Sequence, residues 1–326
     1  MRAVTHDRYG RSEVARVTEV PTPIPVDDEV LVRVRASSLN TADLDHMRGR
    51  PLMARLATGL RRPRTARVGL DVAGTVEKVG PDVTRFREGD EVWADLFDQG
   101  HGSLAEYVCA PERAFRRKPA TVSFEEAATV PHSALLAWQG LTSGRGIRAG
   151  DHVLVNGAGG CVGPFAIQIA RSLGAEVTAV DDAGKRDLMT AAGADHVIDY
   201  AREDVTRQRS RYDLILDIAA TRSFLRFRRS LRPGGRYALV ARNLSGFFLT
   251  ALLGSLLSLL GSKRMGVFAW APNKADGLRQ LGRLLEDGKV RPVIDRRFGL
   301  EDAVEALAYL EEGRARGKVV IVVEDV

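Results

Sequence analysis

The chain has 326 residues, of which 44% are hydrophobic and 28% charged, with a formal net charge of +6; this is the balance of a soluble globular protein long enough for two cores. Only seven of its 48 basic residues are lysine, and the clusters Arg61, Arg62, Arg64, Arg67 and Arg226, Arg228, Arg229, Arg232 lack the interleaved aromatics of a single-strand binder, which favours solvated faces over nucleic acid. Cys109 and Cys161 are the only cysteines, too few for a disulfide framework or a thiolate zinc site.

Met1 to Arg8 has no apolar core of a signal peptide, and a cytoplasmic protein is expected. Residues 2–35 alternate as strands do, with Pro21, Pro23 and Pro25 interrupting them. Glu29 to Arg35 is apolar at every second position and predicts a half-exposed strand. Ser37 to Leu44 reads as a loop entering a short helix, and residues 48–67 as a basic, proline-interrupted flap. Val68 to Gly80 and Phe86 to Val92 return to strand. Glycines at 74, 80, 89, 100 and 102 punctuate these segments, as in a compact β-barrel with tight corners.

From Ser123 the pattern turns helical, and then comes the most informative unit of the chain. Val153, Leu154 and Val155 predict a strand buried on both faces. Asn156, Gly157, Gly160, Cys161, Val162 and Gly163 form a glycine loop, and Phe165, Ile169 and Leu173 continue it as a helix. A second strand ends at Val180, with Asp181 roughly 20 residues beyond the loop, where a dinucleotide site places its ribose-binding acid. Glycines let the backbone approach a pyrophosphate, and the helix N-terminus favours its charge. The spacing Gly157-x-x-Gly160-x-x-Gly163 is a variant of the commoner fingerprint.

Strands are predicted again at His196 to Asp199, Tyr212 to Asp217 and Gly235 to Val240, with helical segments between, which points to a doubly wound parallel sheet. Phe247 to Leu260 is apolar but shorter than the ~20 residues of a spanning helix. It reads as a buried or lid helix, an oligomer contact, or a peripheral membrane contact. Helices at Lys274 to Leu285 and Leu300 to Glu311 precede a last strand at Lys318 to Val323. The expected division is residues 1–122, completed by 268–326, around an inserted 123–267.

Four segments together resemble the medium-chain dehydrogenase/reductases, in their zinc-independent, quinone-oxidoreductase-like branch. They are Ser38 to Asp43, Gly69 to Val76 with Phe86 to Val92, Asn156 to Gly163, and Gly193 to Tyr200, and Gly317 with Lys318 fits as well. The resemblance implies an α/β chain: a GroES-like β-barrel catalytic domain plus a Rossmann doubly wound domain, with the active site in the cleft between them and a homodimer as the assembly. It adds Lys318 and Lys185 to the cofactor residues Asn156, Gly157, Gly160, Cys161, Val162, Gly163 and Asp181.

Zinc-dependent relatives carry a cysteine where Asn40 stands and a histidine–glutamate pair where Leu70 and Asp71 stand; His132 falls near the third ligand. One imidazole does not make a catalytic zinc site, which needs about three protein ligands, so no metal is expected. Hydride transfer from NADH or NADPH to a small apolar quinone or enone needs less polarisation than alcohol oxidation does. Asn40 is the expected donor to the acceptor carbonyl. Asp43 orients Asn40, relays a proton or caps the helix. Where many relatives have a tyrosine this chain has Asp45 followed by His46, which makes His46 a candidate proton source. Asp181 and Asp182 favour the ribose hydroxyls of NADH, while Lys185 keeps NADPH open. An alcohol dehydrogenase and a non-catalytic nucleotide-binding or redox-sensing protein, the latter suggested by the missing tyrosine and Cys161, are the competing readings.

Overall fold

A computed structural model describes residues 1–240, 253, 254, 256, 258, 261–267 and 270–323. The chain forms two compact units, one of Met1–Leu135, Ala271–Gly288 and Pro292–Val326, the other of Leu136–Trp270 and Lys289–Arg291.

The first unit is built around strand Glu29–Leu39. Its valines alternate with charged residues, and Val30, Val32, Val34 and Ala36 are fully buried, so burial fixes the register. One edge pairs with Asp71–Val79. The other pairs with Tyr107–Pro111 over residues 29–33 and with Lys318–Val322 over residues 36–39. A register shift between Val34 and Ala36 bends the strand at Arg35. Gly74 faces this bend, where a Cβ would stand 2.2 Å from the Arg33 carbonyl oxygen. Further strands Glu91–Asp95, Arg116–Arg117 and Ile294–Gly299 complete a seven-stranded sheet.

The strand expected to end at Arg35 therefore runs on through Ser37, Ser38 and Leu39. Two serines read as loop residues, but each hydroxyl is buried and bonded to Asp71, so tertiary partners override composition. Ile294–Gly299 is a strand that the sequence pattern does not predict, because an edge strand reading Ile-Asp-Arg-Arg-Phe-Gly leaves its arginines exposed and shows little alternation. The basic flap contains a short turn, Leu52–Ala54, and one helical turn, Arg55–Thr58.

The second unit holds six parallel strands in the order His196–Asp199, Glu176–Asp181, His152–Asn156, Tyr212–Asp217, Leu231–Leu239, Arg264–Val267. This is the expected doubly wound sheet. Its first strand, His152–Asn156, lies centrally, with the next strand on one side and Tyr212–Asp217 on the other. The order in which successive strands are added reverses there, and ligands of such sheets bind outside the carboxyl ends of the strands at this switch. The sixth strand, Arg264–Val267, is likewise beyond what the pattern predicts. Most of the apolar stretch Phe247–Leu260 lies outside the described residues. Among the described residues no helix is long and apolar enough to cross a membrane.

Candidate functional site

In the first unit, strand register gathers a row of polar residues. Asp71 pairs with Ser38 on one side and with Asp95 on the other. Val319 pairs with Leu39, which sets Lys318 beside Asn40. All of these side chains are buried, with Asn40 2% and Lys318 1% exposed. The Lys318 ammonium donates to Asn40 Oδ1 at 2.7 Å, to Asp71 Oδ2 at 3.2 Å and to Ser133 Oγ at 3.2 Å. Ser133 in turn donates to Asn40 Oδ1 at 2.8 Å. Asn40 Nδ2 donates to Asp71 Oδ2 at 2.9 Å, and its other contact, to the Ser38 carbonyl, is long at 3.5 Å. Since an ammonium only donates and a carboxylate only accepts, these partners fix which way the amide faces.

Asn40 is the extended residue that opens helix Thr41–Met47, and the Asp43 carboxylate accepts its backbone N–H at 2.7 Å. Asp43 Oδ1 is buried without a hydrogen-bond partner among the described residues. Burial, with the nearby Asp71 charge adding to it, pushes the Asp43 carboxyl up to about 7. His132 donates its backbone N–H to Asp71 Oδ1 at 2.8 Å, and its Nδ1 lies 2.8 Å from Asp95 Oδ2. Burial opposes charge on the His132 ring, yet the Asp95 carboxylate overcomes this and raises it. Burial likewise raises Asp95.

His46 stands on the same short helix but packs elsewhere. Its ring stacks on His101 at 3.8 Å between centroids and meets His6 edge-on at 5.8 Å. Burial, and then the neighbouring His6, pushes His46 down to about 4, so its imidazole is neutral near pH 7.

In the second unit the glycine loop leads from strand His152–Asn156 into helix Gly163–Ser172. Gly157 has φ +86°, and a Cβ there would approach the Ala219 nitrogen to 2.9 Å; at Gly163 it would lie 2.1 Å from the Ala158 carbonyl oxygen. Cys161 is half-buried, and Val162 is the helical residue preceding Gly163. Gly160 is open: a Cβ added there would come no closer than 3.7 Å to the Gly157 oxygen. Asp181 Oδ2 accepts the Gly159 N–H at 2.8 Å, and Lys185 Nζ lies 3.7 Å from Asp181 Oδ1. The Asn156 side chain is engaged across the sheet, where its Nδ2 donates to Asp217 Oδ1 at 2.7 Å. Tyr237 donates to Asp217 Oδ2 at 2.7 Å, and the Ala220 N–H to Asp217 Oδ1 at 2.9 Å.

Residues 26–120 match the family model for the alcohol dehydrogenase GroES-like domain, and residues 192–321 that for zinc-binding dehydrogenase. A chloroplastic quinone-oxidoreductase from Triphysaria versicolor is 34% identical over 333 residues, covering 98% of each chain. A 2-methylene-furan-3-one reductase from Solanum lycopersicum is 32% identical, covering 98% of this chain and 79% of that one. The chain belongs to the medium-chain dehydrogenase/reductase family, in its quinone-oxidoreductase-like branch. Among solved structures, the quinone oxidoreductase from Coxiella burnetii superimposes on this family member with a TM-score of 0.87, at 29% identity and 99% coverage of both chains.

The zinc of other medium-chain dehydrogenase/reductases is a poor fit to these residues. Leu70 is apolar and buried, the Asn40 carbonyl already takes two donors, and His132 Nδ1 faces Asp95. The position is also held by a cation: an added metal ion beside Asn40 and Asp71 would meet the Lys318 ammonium. A dinucleotide, by contrast, suits the second unit, where Gly160 leaves the loop backbone open just before the N-terminus of helix Gly163–Ser172. Sequence reasoning missed Ser133 and assigned Lys318 to the cofactor, although the structure places its side chain with Asn40 in the first unit. The signal was in the pairing register, which composition and spacing do not reveal.

Proposed function

We propose that the chain is an NAD(P)H-dependent reductase of quinones and α,β-unsaturated carbonyls that works without zinc. The observation that carries this reading is the Asn40 amide, held in one orientation by Lys318, Ser133 and Asp71 with one N–H only weakly engaged. The similarity to a quinone oxidoreductase and a furanone reductase supports the same chemistry. When bound, the reduced nicotinamide supplies the hydride. The glycine loop Gly157–Gly163 holds the pyrophosphate, and Asp181 with Lys185 meets the adenosine ribose. Negative charge then develops on the acceptor oxygen, where the weakly engaged Asn40 N–H is the donor. Asp43, with its carboxyl near 7, holds and releases the proton that completes the reduction. His46, neutral and stacked, acts as packing.

The carboxylate of Asp181, accepting from the loop itself, favours NADH over the 2′-phosphate of NADPH. The reading includes a cytoplasmic homodimer, with the unit of Met1–Leu135, Ala271–Gly288 and Pro292–Val326 serving the acceptor and that of Leu136–Trp270 and Lys289–Arg291 the cofactor. The test follows loss of reduced-nicotinamide absorbance with a simple quinone and with an enone, using NADH and NADPH in parallel after chelator treatment. Turnover that survives chelation, faster with NADH, is the expected result. Cofactor binding without turnover on any acceptor would move the chain to a non-catalytic role, and turnover restored only by zinc would overturn the metal-free mechanism.

A further inference from the structure

Lys318 is a buried lysine whose three N–H groups all reach acceptors, at Asn40 Oδ1, Asp71 Oδ2 and Ser133 Oγ. No N–H is left over for a ligand, so Lys318 is not itself a donor to cofactor or acceptor. Its position is nonetheless selective. If the Asn40 amide were turned over, its NH2 would face the ammonium and the Ser133 hydroxyl, and its carbonyl would face the Asp71 carboxylate. The amide–ammonium and carbonyl–carboxylate contacts would both be repulsive. A positive charge on the carbonyl oxygen also draws electron density from the amide nitrogen, which strengthens the remaining N–H as a donor.

We propose that Lys318 is a positioning residue for acceptor reduction, a resident side-chain cation that orients and polarises Asn40. The proposal rests on the reading of Asn40 as donor to the acceptor oxygen. Asp71 is then the counter-charge that keeps the cation in place, and Ser133 the second donor that fixes the amide plane. The sequence-based assignment of Lys318 to the cofactor differs in what it demands, because it requires the side chain to reach the nucleotide.

The experiment compares wild type with Lys318→Met, Lys318→Arg, the charge-balanced pair Lys318→Met with Asp71→Asn, and Asn40→Ala. Readouts are kcat and KM for a quinone, the Kd of the reduced nicotinamide by fluorescence, thermal stability, and the side-chain ammonium signals of 15N-lysine-labelled protein. In wild type slowly exchanging ammonium signals are expected from the two buried lysines, Lys318 and Lys118, and one of them disappears in Lys318→Met whatever the enzyme's activity. Lys318→Met should lower kcat by about 10- to 100-fold with cofactor Kd within about twofold. The balanced pair should recover thermal stability without recovering kcat, and Lys318→Arg should restore only part of the rate. A loss of cofactor affinity matching the loss of rate would overturn the proposal in favour of a cofactor contact. Recovery of kcat along with stability in the balanced pair would reduce Lys318 to a structural role. Full activity in Asn40→Ala would refute the underlying reading of Asn40, and with it the proposal, while slow ammonium signals unchanged in Lys318→Met would refute the buried cation alone.

Discussion

Each unit buries a carboxylate near the residues read as functional, and the two are neutralised differently. Asp71 in the first unit is paired with the Lys318 ammonium and accepts from Ser38, Asn40 and the His132 backbone. Asp217 in the second unit accepts, among the described residues, from neutral donors: the Asn156 amide, the Tyr237 hydroxyl and the Ala220 N–H. Burial raises the Asp217 carboxyl, and the three donors oppose that rise. Tyr237, sharing its proton with Asp217 in a buried place, is pushed up as well, first by burial. A cation makes the first cluster directional and costly to disturb. Neutral donors make the second a clamp that ties the ends of strands His152–Asn156, Tyr212–Asp217 and Leu231–Leu239 beneath the glycine loop.

The sharpest way to break this contrast is to strip one charge. Asp71→Asn leaves the Lys318 ammonium buried without its counter-ion, and urea unfolding should show a loss of about 3–5 kcal/mol. Gly163→Ala places a methyl against the Ala158 carbonyl oxygen; the overpacking should cost about 1–3 kcal/mol and weaken reduced-nicotinamide binding by about tenfold or more, measured by fluorescence titration. Tyr237→Phe removes one neutral donor and should cost only about 1 kcal/mol, because Asp217 keeps two others. A comparable loss from Tyr237→Phe and from Asp71→Asn would show that the cation confers nothing special.

The last effect concerns pH. The Asp43 carboxyl is raised in the fold to about 7 from its ordinary 3.8, so the native state binds its proton more tightly than the unfolded chain does. The stabilisation is full below about pH 4 and fades as pH climbs through about 7. Asp43→Asn keeps an oxygen for the Asn40 N–H and should flatten that part of the stability profile, read from denaturant midpoints across about pH 4 to 8. A profile unchanged by the substitution would place the raised carboxyl elsewhere.

The strand–glycine–helix–strand unit was legible because every signal in it is local. Buried valines, glycines at fixed spacing and an acid at the next strand end lie within about 30 consecutive residues. The first unit was legible as strands and glycine corners, but its polar cluster was not. Asn40, Asp71, Ser133 and Lys318 are scattered along the chain, the first and last 278 positions apart, and meet only because Leu39 pairs with Val319 and Ser38 with Asp71. Spacing carries no trace of such a register. Ser37 and Ser38 misled for the same reason: their hydroxyls look like loop residues until Asp71 is seen beside them.

That late pairing sets an order of events during synthesis. Asn40, Asp71 and Ser133 leave the ribosome long before strand Lys318–Val322 exists, so the nascent barrel must wait with the Asp71 carboxylate uncompensated and the Asn40 amide free to turn either way. Docking of the last strand delivers the charge and the orientation together. The polar cluster is thus completed in one step, after the unit that carries the glycine loop has already emerged.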